Sequence, residues 1–342
     1  RPDTLMGITN VYVNPEETYS EIIVDGEHWI VGKPMIPKLQ MQQFSLEDLG
    51  DVDGKTLVGQ HVESIVGTKV PVLPATFLDS NYGSGMVHSV PSDSADDLIA
   101  LRNIQGDDET LDMYNLDKEM VKSIEPIAIF DTPGYGEFPA QKFIEEHGVK
   151  SQNDRNKLDK IKKELYTLTF NKATFNEKYS QGFSQNLKGK LIKQGQDIIK
   201  RDLLDQGKIN LFYELTGKVV SRALNECVVK IVDDQWFLDY NNPEWKKLAH
   251  ECLEHMKLYP EKSRSQFDYV IDWLHEWACT REEGLGTKLP WDEKWLIESL
   301  SDSTIYMAYY TIAHLIENLE IDKVDDRFFD YIFYGKGEKP DI

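Results

Sequence analysis

Apolar and polar residues alternate through positions 5–35. Ile8, Val11 and Val13 form one run, Ile22-Ile23-Val24 a second and Trp29-Ile30-Val31 a third. A period of two puts one face of an extended chain into a core and the other into water, and β-branched residues suit that surface. Asp25-Gly26 between the last two runs predicts a hairpin. Short strands are also expected at Thr56-Leu57-Val58, Val70 to Leu73, Met86 to Val90 and Ile127 to Phe130. From Ser94 to Asn103 the spacing turns helical. Pro91 precedes this stretch, Ser92, Asp93 or Ser94 can cap it, and acidic residues fill its first turn. Residues 139–168 and 187–206 also read as helices: Leu191, Ile192, Ile198, Ile199, Leu203 and Leu204 share a face opposite Lys and Arg. Leu211 to Val220 reads as a strand. Residues 1–224 are therefore expected to form an α/β (α+β) domain, mostly antiparallel and barrel-like with peripheral helices, in which 139–206 is a helical insertion. After Cys227 the texture changes. Six of the seven tryptophans follow it, and helical patterns dominate 243–258, 262–277 and 303–318. A second domain, 225–342, is expected there.

The 342 residues, 40% of them hydrophobic, suffice for one large or two medium cores. No apolar run approaches about 18 residues, so no membrane partner is expected. No secretory leader is seen, and the abrupt start and polar tail read as those of a piece of a longer protein. Cys227, Cys252 and Cys279 form no C-x-x-C pair, which excludes a thiolate metal site and a disulfide framework and suits a reducing cytoplasm. A net charge of −21 argues against nucleic acid until its distribution is considered. Lys150 to Arg201 holds 13 Lys and Arg against 5 Asp and Glu. Such a basic patch on an acidic body steers an anionic partner, or is simply a solvated pair of helices.

Chemistry concentrates between Tyr82 and Asp97. Gly83 and Gly85 let the backbone approach a ligand closely, but no phosphate-loop lysine follows them. Tyr82 either stacks on a base or fills the core. His88 sits on an apolar strand with no nucleophile at a recognisable spacing, so no triad is expected. Asp96-Asp97 opens a helix, where a carboxylate serves as a cap or, facing a cleft, grips a primary ammonium. His250 and His255 lie five apart with Glu at 254, which fails the zinc-helix pattern, so no metal is expected.

Several of these segments resemble one family. Arg1-Pro2-Asp3-Thr4-Leu5-Met6-Gly7 is similar to the threonine-rich segment of the editing domains of leucyl-, valyl- and isoleucyl-tRNA synthetases. Gly83 to Asp97 resembles their second editing segment. Ser151 to Arg155, Asp234 to Tyr240 and above all Ala278 to Met307 resemble leucyl-tRNA synthetases of the archaeal and eukaryotic type. The resemblance spans nearly the whole chain. It implies an editing domain over 1–224 and, over 225–342, an incomplete return into a Rossmann-like class I catalytic core. The family's two ATP signatures are absent. The parent would attach leucine to tRNA-Leu with ATP and magnesium, whereas this piece would only hydrolyse norvaline, isoleucine or methionine esters, without a cofactor.

By that resemblance Asp97 binds the α-ammonium and Thr4 crowds the leucine γ-branch. Arg1 and Tyr82 hold the terminal adenosine, and Met86, His88 and Val90 line the side-chain pocket. Backbone N–H groups near Thr4 and from Gly83 to Gly85 polarise the ester. The expected partners are the acceptor end of tRNA-Leu and near-cognate amino acids, met by a cytoplasmic monomer. A valyl or isoleucyl relative and a non-catalytic RNA- or protein-docking module are the competing readings. The decisive expectation is a cavity shared by Asp97 and Thr4.

Overall fold

The computed structural model describes residues 1–340, apart from the side chains of Asp302, Thr304 and Ile321. The chain divides into two compact units, residues 1–231 and 232–342.

In the first unit Pro2 opens a 3-10 turn, Pro2–Gly7, that leads into β1 (Asn10–Val13). β2 (Thr18–Val24) and β3 (Glu27–Gly32) follow. Asp25 and Gly26 both take positive φ, +51° and +86°, the geometry whose twist matches the flanking strands. After α1 (Met35–Met41), β4 (Leu46–Asp53) pairs with the far side of β2, completing an antiparallel sheet β3-β2-β4. Then come α2 (Gly54–Leu57), β5 (His61–Glu63), β6 (Lys69–Pro74) and β7 (Met86–Ser89). These strands form a mixed sheet, β5-β6-β1-β7, in which β1 runs parallel to β6 and antiparallel to β7.

The helical part comprises α3 (Ala95–Gln105), α4 (Asp108–Met113), α5 (Lys118–Lys122), α6 (Pro139–His147), α7 (Arg155–Lys172) and α8 (Ile192–Asp205). A small ladder of β8 (Phe130–Asp131) with β9 (Thr174–Phe175) ties it together. α3 is the pivot because its apolar residues pack on two sides. Leu98 and Ile99 pack with Phe143, Leu158 and Ile161 of α6 and α7. Ala100, Leu101 and Ile104 pack with Tyr12, Leu73 and Leu111. Burial on both sides holds α3 rigidly.

Three sequence expectations changed. The sheets remain open rather than closing into a barrel. Sheets of three and four strands fall short of the roughly eight that enclose a filled interior, so helices cover them instead. Thr56 to Val58 is not a strand: Asp53 accepts the Lys55 N–H at 2.9 Å and Thr56 Oγ1 donates to the Asp53 carbonyl at 2.7 Å, closing one helical turn. Leu211 to Val220 runs without a ladder. Its polar backbone is met by side chains: the Gln42 amide donates to Tyr213 O at 2.6 Å and accepts from Tyr213 N at 2.8 Å.

The second unit contains β10 (Phe237–Asp239), α9 (Pro243–His255), α10 (Arg264–Trp273), β11 (Glu276–Ala278), β12 (Thr280–Arg281), β13 (Lys288–Leu289), β14 (Asp292–Ile297), α11 (Ser299–Tyr309), α12 (Ala313–Ile316) and α13 (Asp326–Tyr334). Its strands form β10-β11 and β12-β14-β13. His250 lies between α9 and α10, with Nδ1 3.1 Å from Asp268 and Nε2 2.9 Å from Asp272. No described helix is long and apolar enough to cross a membrane.

Candidate functional site

Pro91 ends β7, and the chain must turn before α3 can begin. Asp93 N and Ser94 N both donate to the Val90 carbonyl, at 3.2 and 3.1 Å. Ser94 is then the cap of α3, its Oγ accepting the Asp97 N–H at 3.3 Å. This turn places Val90, Asp93, Ser94, Asp96 and Asp97 along one wall of a cleft of about 570 Å³. Arg1 and Thr4 enter the same cleft from the first turn of the chain, Phe77 and Leu78 from beyond β6, and Arg155, Lys162 and Tyr166 from α7. Asp97 and Thr4 therefore share a cavity.

Asp97 is braced from behind. Its Oδ2 accepts the Val90 N–H at 2.7 Å, and its own carbonyl accepts from Tyr12 Oη at 3.4 Å. Burial pushes its carboxyl up to about 6, against the lowering effect of the hydrogen bonds from Val90 and Ser94. The group keeps a partly open face toward the cleft while protein surrounds the rest of it. A half-desolvated carboxylate of this kind gains most from meeting a cation. Asp96 is already committed, since Arg155 donates to its Oδ1 at 2.7 Å.

Arg1 is the charged post of the site. Its Nη2 lies 2.6 Å from Asp3 Oδ2 and 3.1 Å from Asp93 Oδ2, and its guanidinium sits 4.6 Å from the Tyr166 ring centroid. Burial alone would lower it, but the charges of Asp93 and Asp3 outweigh that and hold it above its usual value. Asp93 is fully buried, and neither of its oxygens accepts a hydrogen bond. Burial raises it to about 7, with the charges of Asp3 and Asp97 adding to this and the nearby Arg1 opposing it. Burial also lowers His88, to about 4, and the positive groups of residue 1 add to this. Its imidazole is neutral at pH 7. Thr4 is buried, and its Oγ1 donates to the Arg1 carbonyl at 3.0 Å.

The cleft thus unites Arg1, Thr4, His88, Val90 and Asp97. It does not include Tyr82, Gly83, Gly85 or Met86. Tyr82 is 43% exposed and lines a separate small hollow, with Lys38 Nζ 5.8 Å from its ring centroid. Gly83 N donates to Glu214 Oε2 at 2.9 Å. Gly85, at φ +75°, lies against Gly32, where a Cβ would sit 3.0 Å from Gly32 Cα. Met86 packs with Val13, Tyr19, Leu57 and Val72. The N–H groups expected to polarise an ester are also engaged within the protein: Thr4 N donates to Arg1 O and Gly85 N to Tyr82 O.

Sequence reasoning missed Phe77, Asp93, Arg155, Lys162 and Tyr166. For α7 the signal was present. Residues 155, 162 and 166 follow the i, i+7, i+11 spacing of one helix face. Among the described residues no group of three or more His, Cys, Asp or Glu is placed to hold a metal ion.

No protein-family model matches the chain. It is similar to the leucine–tRNA ligase of Methanothermobacter thermautotrophicus, 42% identical over 335 residues, which are 97% of this chain and 35% of that protein. It is likewise similar to the leucine–tRNA ligase of Methanopyrus kandleri, 40% identical over 344 residues, 100% of this chain and 35% of that protein. The chain spans about a third of the length of these curated relatives. Among solved structures it resembles GlLeuRS-CP1 at a TM-score of 0.55 and 25% identity, covering 63% of this chain and 82% of that one. The cytosolic leucyl-tRNA synthetase editing domain of P. knowlesi shares the fold at a TM-score of 0.55 and 22% identity, covering 62% of this chain and 82% of that one.

Proposed function

The chain belongs to the leucyl-tRNA synthetase family, as a segment about a third as long as its relatives, and from that premise we propose that residues 1–231 hydrolyse amino acids wrongly esterified to tRNA-Leu. A binding pocket separates side chains that differ by one methylene by only about 1–3 kcal/mol, so a second, hydrolytic sieve is the remedy when that is insufficient. The observation that carries this reading is the cleft shared by Asp97 and Thr4.

In this mechanism the Asp97 carboxylate clasps the α-ammonium of the misattached residue. The Val90 N–H on Oδ2 and the Ser94 cap orient it, so little reorganisation is needed when substrate arrives. Thr4, pinned by its bond to the Arg1 carbonyl, crowds the γ-branch of leucine and excludes the cognate ester. His88 and Val90 border the space for straight or β-branched side chains, while Met86 belongs to the core outside the cleft. Arg1, steadied by Asp3 and Tyr166, faces the terminal adenosine, while the loop carrying Tyr82 bounds the site from outside the cleft. Water attacks the ester carbonyl, assisted by the ribose hydroxyl of the substrate. The backbone donors near Thr4 and Gly85 are occupied, so they take no part. Residues 232–342 correspond to a return into the catalytic core of the parent, which joins leucine to tRNA-Leu with ATP and magnesium in the cytoplasm. Neither cofactor enters the hydrolysis.

The test is deacylation of Ile-tRNA-Leu by this chain. Hydrolysis well above the spontaneous rate is expected, and a rate equal to the blank overturns the reading. Thr4→Ala should begin to hydrolyse Leu-tRNA-Leu; if the leucyl ester survives in that variant, the steric gate is wrong.

A further inference from the structure

The proposed substrate is dipolar, with an ammonium at the aminoacyl end and a base and phosphodiester at the other. The cleft has matching polarity. Its carboxylates, Asp93, Asp96 and Asp97, come from the start of α3, and two of its cations come from α7. Most of these charges are already paired within the protein. Arg1 is held by Asp3 and Asp93, and Arg155 by Asp96 at 2.7 Å and Asp159 at 3.0 Å. Lys162 is exposed, and no ion pair or hydrogen bond to its ammonium is found among the described residues. An exposed cation without a direct ion-pair partner, beside a cleft that takes an RNA end, is suited to a phosphate.

The aromatic groups of the cleft sort in the same way. Arg1 lies over the Tyr166 ring, and Tyr82 lies outside the cleft. Phe77 lines the cleft at 45% exposure, an unusual position for so apolar a ring. Its placement is not loose: it packs edge-on against Tyr12 at 6.1 Å, and Tyr12 Oη bonds the Asp97 carbonyl. The ring is thereby held in fixed relation to the carboxylate that takes the ammonium. An open aromatic face at a set distance from the reacting end is a seat for a nucleobase.

We propose that Phe77 and Lys162 bind the terminal nucleotide of the tRNA, the ring stacking on the base and the ammonium meeting the phosphate; this rests on the hydrolytic reading of the cleft.

The experiment measures binding and hydrolysis separately. Affinity for a fluorescent RNA minihelix bearing the tRNA-Leu acceptor end is followed by anisotropy across a potassium chloride series, alongside deacylation of Ile-tRNA-Leu. Lys162→Ala should weaken binding and reduce the slope of log affinity against log salt by about 0.7–0.9, the loss of one phosphate contact. Phe77→Ala and Phe77→Leu should both weaken binding about fivefold or more, with the salt slope unchanged. Phe77→Leu binding as tightly as the unmodified chain would mean that the ring only packs, and overturns the stacking. If Lys162 merely balances Asp97, Lys162→Ala keeps the full slope and moves the acid limb of the deacylation profile to higher pH, which overturns the phosphate contact. RNA binding with the expected slopes but an intact ester sinks the hydrolytic reading and not this one. Hydrolysis with unchanged slopes in the variants does the reverse.

Discussion

The two units use similar kinds of residue to opposite effect. All five clusters of buried hydrophobic residues found among the described residues lie in the first unit. In the second, Leu253, Leu289, Trp295 and Phe328 are buried, while Trp273, Trp277 and Trp291 stand in solvent and Leu285 is 94% exposed. Amphipathic periodicity makes a core only where a second layer receives the apolar face. In the first unit α3 is enclosed by both sheet and helices. In the second, among the described residues, α9 buries Leu253 and α10 buries none, and apolar surface left open in this way marks an interface. The first unit spends its closed core on a difficult object, a cleft with desolvated carboxylates. The second carries most of its charges in solvent.

The largest expected effect tests the cleft. Asp97→Ala should cut deacylation of Ile-tRNA-Leu by about a hundredfold or more, since a buried charge-assisted contact of about 3 kcal/mol is lost; activity near the unmodified rate removes Asp97 from its role. In the unmodified chain kcat/KM should fall as pH drops through about 6, because the ammonium needs the ionised carboxylate.

Next, the cores should differ under truncation. Leu165→Ala, deep between α6, α7 and α3, should destabilise the first unit by about 2–5 kcal/mol in chemical denaturation. Leu285→Ala in the second should stay within about 0.5 kcal/mol. Equal losses would erase the contrast drawn between the units.

Two smaller effects concern pH, with opposite origins. The folded-state carboxyl of Asp97 lies above its unfolded value, so the folded chain binds the proton more tightly. Its contribution to stability therefore declines as pH rises from about 4 through about 6. Asp97→Asn should accordingly melt higher than the unmodified chain at pH 7, with the difference shrinking toward pH 4. His250 is raised by its bond to Asp272, with Asp268 adding to it. Its stabilisation is complete below the unfolded value near 6.5 and is lost as pH rises through the higher folded value. His250→Gln should flatten the pH dependence of melting above that point; an unchanged profile would mean the His250 clip between α9 and α10 contributes nothing.

Legibility in the sequence followed the range of the interaction. The Asp25-Gly26 turn, the Ser94-capped α3 and the helix α8 are set by neighbours within a few positions and form close to the spans the periodicity gave them, whereas the helix expected over 139–168 is broken into α6 and α7. The strand expected at 211–220 did not form; Gln42, far away in sequence, takes the backbone bonds of Tyr213 instead. The same division runs through the site. Asp97 is marked by the capped start of its helix, and Thr4 only by the resemblance of the first residues to the editing segment. Phe77 carries no such pattern, Asp93 reads only as a possible cap, and Lys162 and Tyr166 share a helix face with Arg155 whose spacing does not say which cleft it borders.

By itself the sequence determined where most helices and strands lie and where the charge gathers, since propensity, capping and period act over one or two turns of chain. Only the tertiary structure decided that the sheets stay open, that Tyr82 falls outside the cleft while Tyr166 enters it, and which carboxylate is left facing a ligand. Those outcomes depend on desolvation and on competition for partners, which exist only once distant segments have packed.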